Sequence, residues 1–262
     1  MQHLSDSYLF RFGGIARLYG QPALVKLAAA KVAVIGIGGV GSWAAEALVR
    51  TGVGQVTLYD LDDVCTSNIN RQLHALDSTV GKSKVEVMAA RLLDINPEAK
   101  ITAISRFITT NNLAQELDQG FDLIIDATDT VPVKAAIINW CRRNKVGLVV
   151  VGGAGGQIDP RLITTADLVR TTQDPLLARV RNLLRRDYGF TRDVKKRFKV
   201  ECVYSTEQLV YPQADGSVAC KKPDAGEALK LDCASGFGSV TFVTGTFGFI
   251  AAQRAIAQLI KN

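Results

Sequence analysis

The sequence predicts an α/β fold, a Rossmann-like, doubly wound and mainly parallel sheet with a less regular C-terminal half. Three observations carry that prediction: short uninterrupted apolar runs rich in Val and Ile, helix-period segments between them, and a glycine cluster closing the first run. Continuous apolar runs of this length suit strands covered on both faces, which is the condition of a parallel sheet flanked by helices.

Residues 31–36 (KVAVIG) read as the first strand, and apolar spacing at Ala44, Ala45, Ala47 and Leu48 predicts a helix that stops at Gly52. A strand at 55–59 comes next, then a helix at 82–95 ended by Pro97, a strand at 101–104 and a helix at 111–117. The run 121–126 (FDLIID) is a buried strand, 131–144 a helix and 147–151 (GLVVV) another strand. Past Gly156 the alternation loosens: a strand near 161–164, a basic helix at 175–186, extended pieces at 199–203 and 209–211, and a last helix ending near Ile260. With no repeat and no flexible linker, the expectation is one domain over 1–262. Its nucleotide-binding half is 1–154 and its substrate-binding half 155–262, with a basic crossover at 174–199.

Composition excludes several classes. A chain of 262 residues with 47% hydrophobic content buries a real core and is not disordered. Five cysteines with no Cys-x-x-Cys pair suggest neither a disulfide framework nor structural zinc, which fits a reducing cytoplasm. The stretch 233–253 carries no charge, yet nine of its 21 residues are Gly, Ser or Thr. Membrane association is therefore outweighed by a buried helix from about Phe242 onward. Cys233, just before a glycine-rich turn, is the cysteine to weigh for sulfur or redox chemistry against a packing role.

Gly36, Gly38, Gly39 and Gly41 sit where a strand turns into a helix, the position at which backbone amides and the helix N-terminus meet phosphate. Asp60 ends the next strand, 19 residues after Gly41, and is placed for ribose hydroxyls. An NAD(P)-dependent oxidoreductase would show the same pair. Farther along the chain stand Asp62, then Asn68, Asn70, Arg71 and Gln72, then Lys82 and Lys84, and finally Asp129, none of which hydride transfer needs. Two fixed cations, Arg71 and Lys84, would neutralise a triphosphate and the charge growing on a leaving pyrophosphate. Asp129 could hold Mg2+ through oxygen.

This set, spread from about Phe10 to Ala154, resembles the ubiquitin-activating-enzyme-like adenylyltransferases. The resemblance implies a homodimer that uses ATP and Mg2+ to adenylate a carboxylate and release pyrophosphate. It places the glycine loop on the phosphates and Asp60 on the ribose, with Asp62, Asn68, Asn70, Arg71, Gln72 and Lys84 around the triphosphate and Asp129 at the metal. Three departures narrow the substrate. The paired Cys-x-x-Cys zinc ligands of carrier-activating members are missing, the crossover (Gln173, Asp174, Pro175, Leu176, Leu177) has no cysteine, and the family's N-terminal arginine motif reads Arg11, Phe12, Gly13, Gly14. Arg17, about one helical turn later, is the substitute for the arginine sent into a partner's site.

Net charge is +6, but residues 179–199 hold nine cations (Arg179, Arg181, Arg185, Arg186, Arg192, Lys195, Lys196, Arg197 and Lys199) against Asp187 and Asp193. The rest of the chain is near neutral. A solvated helix face is the ordinary explanation of such a run, and the nine-to-two imbalance tips it toward a polyanion. The run 11–20 (RFGGIARLYG), the missing zinc ligands and the basic crossover resemble the tRNA-modifying members of the family. That resemblance implies ATP-dependent dehydration, by cyclisation, of N6-threonylcarbamoyladenosine at position 37 of tRNA, with the cations on tRNA phosphates. Tyr188, Phe190 and Phe198 are candidates to stack on a base, although for Tyr188 and Phe190 anchoring a helix end is the commoner role. The alternatives are activation of a ubiquitin-like sulfur carrier, an NAD(P) oxidoreductase and a non-catalytic nucleotide-binding scaffold. A cysteine desulfurase or other sulfur-acceptor partner and a structural monovalent cation are left open.

Overall fold

The computed structural model describes residues 4–213, 215–221 and 237–261. Cys233 and the three residues after it lie outside them. A seven-stranded sheet, ordered β3-β2-β1-β4-β5-β7-β6, spans both halves of the chain. Its strands are β1 (Lys31–Ile35), β2 (Gln55–Asp60), β3 (Lys100–Ser105), β4 (Leu123–Asp126), β5 (Gly147–Val151), β6 (Ile163–Asp167) and β7 (Glu201–Ser205). All pair in parallel except β6, which runs antiparallel to β7 at the edge. A short hairpin of β8 (Tyr211–Pro212) and β9 (Val218–Ala219) stands apart.

The pleat sends successive side chains to opposite faces. Val32 and Val34 of β1 join Val56, Leu58 and Ile125 under α3 (Gly41–Arg50), α4 (Lys84–Ile95) and the terminal helix, α8 (Thr241–Lys261). Ala33 and Ile35 face the other way, onto α5 (Leu113–Leu117) and α6 (Val131–Asn144). Farther along, Val150 and Cys202 pack under α7 (Pro175–Asp187). Among the described residues no helix is long and apolar enough to cross a membrane. The uncharged stretch supplies the first part of α8, to Gln253, and the helix buries Val243, Phe247, Ala251 and Ala255 against the sheet and α3.

Two N-terminal helices, α1 (Asp6–Tyr19) and α2 (Gln21–Ala29), precede the first strand and are absent from the sequence-based reading. Gly13 and Gly14 in mid-helix blur the pattern of α1, and its stability comes from outside. Ser5 caps it by accepting from Tyr8 N at 3.0 Å, the Tyr8 hydroxyl donates to the Gly52 carbonyl, and Tyr8, Phe12 and Leu24 form a small core of their own. This docks α1 where α3 ends and β2 begins, at the edge of the sheet opposite the glycine turn. The helix expected over 82–95 opens two residues later, because Ser83 bridges Asp63 and the Lys82 carbonyl accepts from Val64 N at 2.8 Å.

Candidate nucleotide site

The carboxyl ends of β1, β2 and β4 bring the predicted residues to one rim, the edge at which open α/β sheets bind ligands. Gly36 follows β1 with φ +88°, and a Cβ there would press on the Ala127 carbonyl. A Cβ at Gly41, where α3 starts, would collide with the Gly36 carbonyl oxygen. Only glycine lets the chain fold back so tightly, and α3 begins with no side-chain cap on its first amides.

Asp60 is buried at the end of β2, and both carboxylate oxygens are engaged: Oδ2 accepts from Ile37 N at 2.7 Å and Oδ1 from Asp62 N at 2.9 Å. Asp60 thereby ties the glycine loop to the strand after it, with lone pairs left over on both oxygens. Asn68 is also buried, with Oδ1 accepting from Cys65 N at 3.1 Å. Gln72 is buried beside Gly38, and its Oε1 accepts from no described residue.

Arg71 packs its stem on Gly39, and its Nη1 donates to Ser67 O at 2.7 Å and to Asn70 Oδ1 at 3.1 Å. Its carbonyl accepts from the Trp43 indole at 3.1 Å. Asn70 Nδ2 donates to Ser239 O at 2.8 Å, and the Thr241 hydroxyl donates to Asn70 O. Thr244 of α8 closes the same corner against Gly39 and Arg71. Sequence reasoning missed Trp43, Ser239, Thr241 and Thr244, since nothing local announces contacts 28 to 173 residues away.

Lys84, the cation opening α4 against its dipole, has an anion to meet. Its Nζ lies 2.8 Å from Asp62 Oδ2, with the lysine buried and the aspartate half exposed. Cys65 is exposed at the lip rather than packed, and the Ser67 hydroxyl that donates to its sulfur holds the thiol below its usual range. His74, behind Lys84, is buried with neither ring nitrogen bonded to a described residue, and burial lowers its pKa to about 4.

Asp129 is exposed, and among the described residues its side chain accepts from the Thr130 hydroxyl alone, at 3.4 Å. Among the described residues no three His, Cys, Asp or Glu side chains gather as a metal cluster. One carboxylate with phosphates and water is nevertheless an ordinary Mg2+ environment, so Asp129 fits an ion escorted by a nucleotide rather than one caged by protein. Behind it lies a feature unseen in the sequence. Asp126 and Lys134 are both fully buried, with Nζ 3.1 Å from Oδ1 and from the Asp126 carbonyl. Asp126 Oδ1 also accepts from Thr128 N at 3.0 Å and from its hydroxyl at 2.8 Å, which shapes the turn that carries Asp129.

Arg17 sits exposed on the last turn of α1, away from the glycine loop of its own chain. The nine cations of the crossover divide. Arg179, Arg186, Arg192, Lys195, Lys196, Arg197 and Lys199 are exposed, with Arg186 paired to Asp187. Arg181 is turned inward, its Nη1 donating to Leu168 O at 3.0 Å and to the Thr171 hydroxyl at 2.9 Å. Arg185 lies over the Phe198 ring at 5.6 Å. The expectation of base-stacking aromatics is corrected for Phe190 and Phe198, which are buried edge to face at 4.9 Å, while Tyr188 is half buried against the same cluster. The exposed cations of 192–199 precede β7 and stand at the sheet edge opposite the glycine loop.

The model of the ThiF family matches residues 14–262. The chain belongs to the ThiF family. This member is 53% identical over 259 residues to a tRNA threonylcarbamoyladenosine dehydratase from Escherichia coli, a match covering 99% of this chain and 97% of that one. The crystal structure of an E. coli tRNA N6-threonylcarbamoyladenosine dehydratase in complex with ATP superposes with a TM-score of 0.88 at 49% identity, covering 99% of this chain and 98% of that one. An E. coli molybdopterin-synthase adenylyltransferase is 36% identical over 151 residues, 57% of this ThiF-family chain and 60% of its own.

Proposed function

We propose that this chain catalyses the ATP-dependent dehydration of N6-threonylcarbamoyladenosine at position 37 of tRNA in the cytoplasm. The observation that carries the reading is a glycine loop flanked by Arg71 and Lys84 in a chain that resembles, over almost its full length, a dehydratase of that nucleoside. The likeness to the carrier-activating relative ends at 57% of the chain, which favours tRNA over a carrier protein.

In this reading Gly36, Gly38, Gly39 and Gly41 cradle the phosphates, Asp60 meets the ribose, and Gln72 offers its unmatched acceptor to the nucleotide. Asn68 and Asn70 hold the segment in shape, and Arg71 and Lys84, the latter set by Asp62, face the triphosphate. Mg2+ held by Asp129 would neutralise phosphate charge. The threonyl carboxylate oxygen attacks the α-phosphorus; that O–P bond forms, the α–β bridging bond breaks, and pyrophosphate leaves with charge stabilised by Arg71 and Lys84. The carbamoyl group, already tethered to the same appended amino acid, then closes on the activated carbonyl: the ring bond forms, the bond from the carbonyl carbon to the AMP oxygen breaks, AMP departs and the carbamoyl proton goes to solvent. Ring closure at such effective concentration needs positioning more than a nucleophilic side chain. The exposed cations Arg179, Arg186, Arg192, Lys195, Lys196, Arg197 and Lys199 contact tRNA phosphates; Arg181 and Arg185 act from inside the fold.

A homodimer completes the site in this reading. Arg17 cannot reach the glycine loop of its own chain from the opposite edge, and its helix exposes Phe10 and Leu18, an apolar surface suited to a second copy.

The deciding experiment supplies ATP with tRNA carrying the modified nucleoside, with unmodified tRNA, and with none, and weighs the nucleoside by mass spectrometry. AMP and pyrophosphate with the first alone, and loss of one water from the nucleoside, are expected. Turnover with a Gly-Gly-ending carrier protein instead would overturn the reading.

A further inference from the structure

A cavity of about 350 Å3 opens between the crossover and the segment after β7. That volume suits a small ligand. Asp174 anchors its floor: buried at the N-cap of α7, it accepts from Leu177 N and from Gly153 N, each at 2.9 Å. Gly153 follows β5 as Thr128 and Asp129 follow β4, and neighbouring strands lie about 4.8 Å apart. The floor of the cavity therefore stands on the same rim of the sheet, one strand over from the turn that carries Asp129.

Its walls are built for a flat, partly polar guest. Gln173 holds a left-handed backbone (φ 56°), unusual for a residue with a side chain, and such strain gathers at ligand sites. Arg181 is pinned through Nη1 to Leu168 and Thr171, while its Nε and Nη2 donate to no described residue. Across the opening stand Gln208, which is exposed, and the half-buried ring of Tyr211. Carboxamides and a guanidinium complement the alternating donors and acceptors of a urea, and an aromatic face complements a purine.

We propose that this cavity receives the adenine of the target nucleotide, turned out of its stack against Tyr211, with Arg181, Gln173 and Gln208 reading the carbamoyl and hydroxyl groups on N6. The appended amino acid is about two backbone units long, and two extended units span at most about 7 Å. In this proposal that reach brings its carboxylate from the cavity toward the Asp126–Asp129 turn, where the nucleotide phosphates are proposed to lie. The inference rests on the proposed function and adds the site that separates a modified from an unmodified tRNA.

The test uses anticodon stem-loops that differ only in bearing threonylcarbamoyladenosine or adenosine, titrated against the full chain with ATP present. The wild type is expected to bind the modified loop more tightly, and Tyr211→Ala to lose about tenfold or more for it, as for loss of one base stack. Gln208→Ala, at an exposed position outside the core, is expected to reduce the preference without altering ATP affinity or thermal stability. A preference retained in both variants, or absent from the wild type, overturns the inference. Failure of the wild type to dehydrate modified tRNA overturns the functional reading instead, and the binding ratios still decide what the cavity holds.

Discussion

The two edges of one sheet are made in opposite ways. At the carboxyl edge several charged and polar side chains are buried and already bonded: Asp60 to two amides, Asn68 to Cys65, Lys84 to Asp62, Asp126 to Lys134. At the amino edge the cations of 192–199 stand in water, and the aromatic side chains among them turn into the core. The first arrangement fixes distances for chemistry, where a displaced group costs rate. The second leaves charge free to follow a polyanion whose phosphates are spaced by its own backbone.

The contrast is testable from its strongest point downward. Lys134→Met leaves Asp126 as an unpaired buried charge and is expected to destabilise the chain by about 3–5 kcal/mol, read as a lower denaturant midpoint, with Asp126→Leu added in the same chain recovering most of it. Arg71→Ala is expected to lower AMP formation about 100- to 1,000-fold at saturating substrates with thermal stability little changed; a loss below tenfold would remove Arg71 from the chemistry. His74 probes the same edge by pH. Its folded pKa of about 4 lies below the ordinary 6.5, so the stability it supplies, on the order of 3 kcal/mol, is complete above 6.5 and lost as pH falls toward 4. Melting temperature against pH should therefore fall less steeply over that window in His74→Leu than in the wild type. At the amino edge effects should be small and graded: Lys195→Ala or Lys196→Ala is expected to weaken tRNA binding only a few-fold and to reduce the log–log salt slope by about 0.7–0.9 each. A large loss from either would mean that this edge, too, holds a fixed contact.

The strands and the glycine rim were legible because their signals are local: an apolar run, a turn that only Gly36 and Gly41 permit, a carboxylate at a strand end. Sequence reasoning also reached the residues that gather there, from Asp60 to Lys84. It could not see which way a helical side chain points. Lys134 carries no mark in the sequence, yet α6 turns it onto Asp126, and Arg181 reads as one more cation of a basic face until α7 sets it against Thr171. Phe190 and Phe198 make the same point, since interleaving with arginine does not say which residue type faces water, and of the two roles open to Phe190 the anchor is the one found. The helix over 6–19 escaped because its hold on the fold is tertiary, through Tyr8 and Gly52.

The corner formed by Asn70, Arg71 and Gly39 is finished by Ser239, Thr241 and Thr244, which the ribosome adds some 170 residues after Asn70. A nascent chain thus displays the whole glycine loop, with Asp60, Lys84 and Asp129, long before the wall behind Arg71 exists. Full grip on a nucleotide must wait for the last helix, so a polypeptide abandoned in mid-synthesis carries every motif by which its function is read and lacks part of the frame those motifs work in.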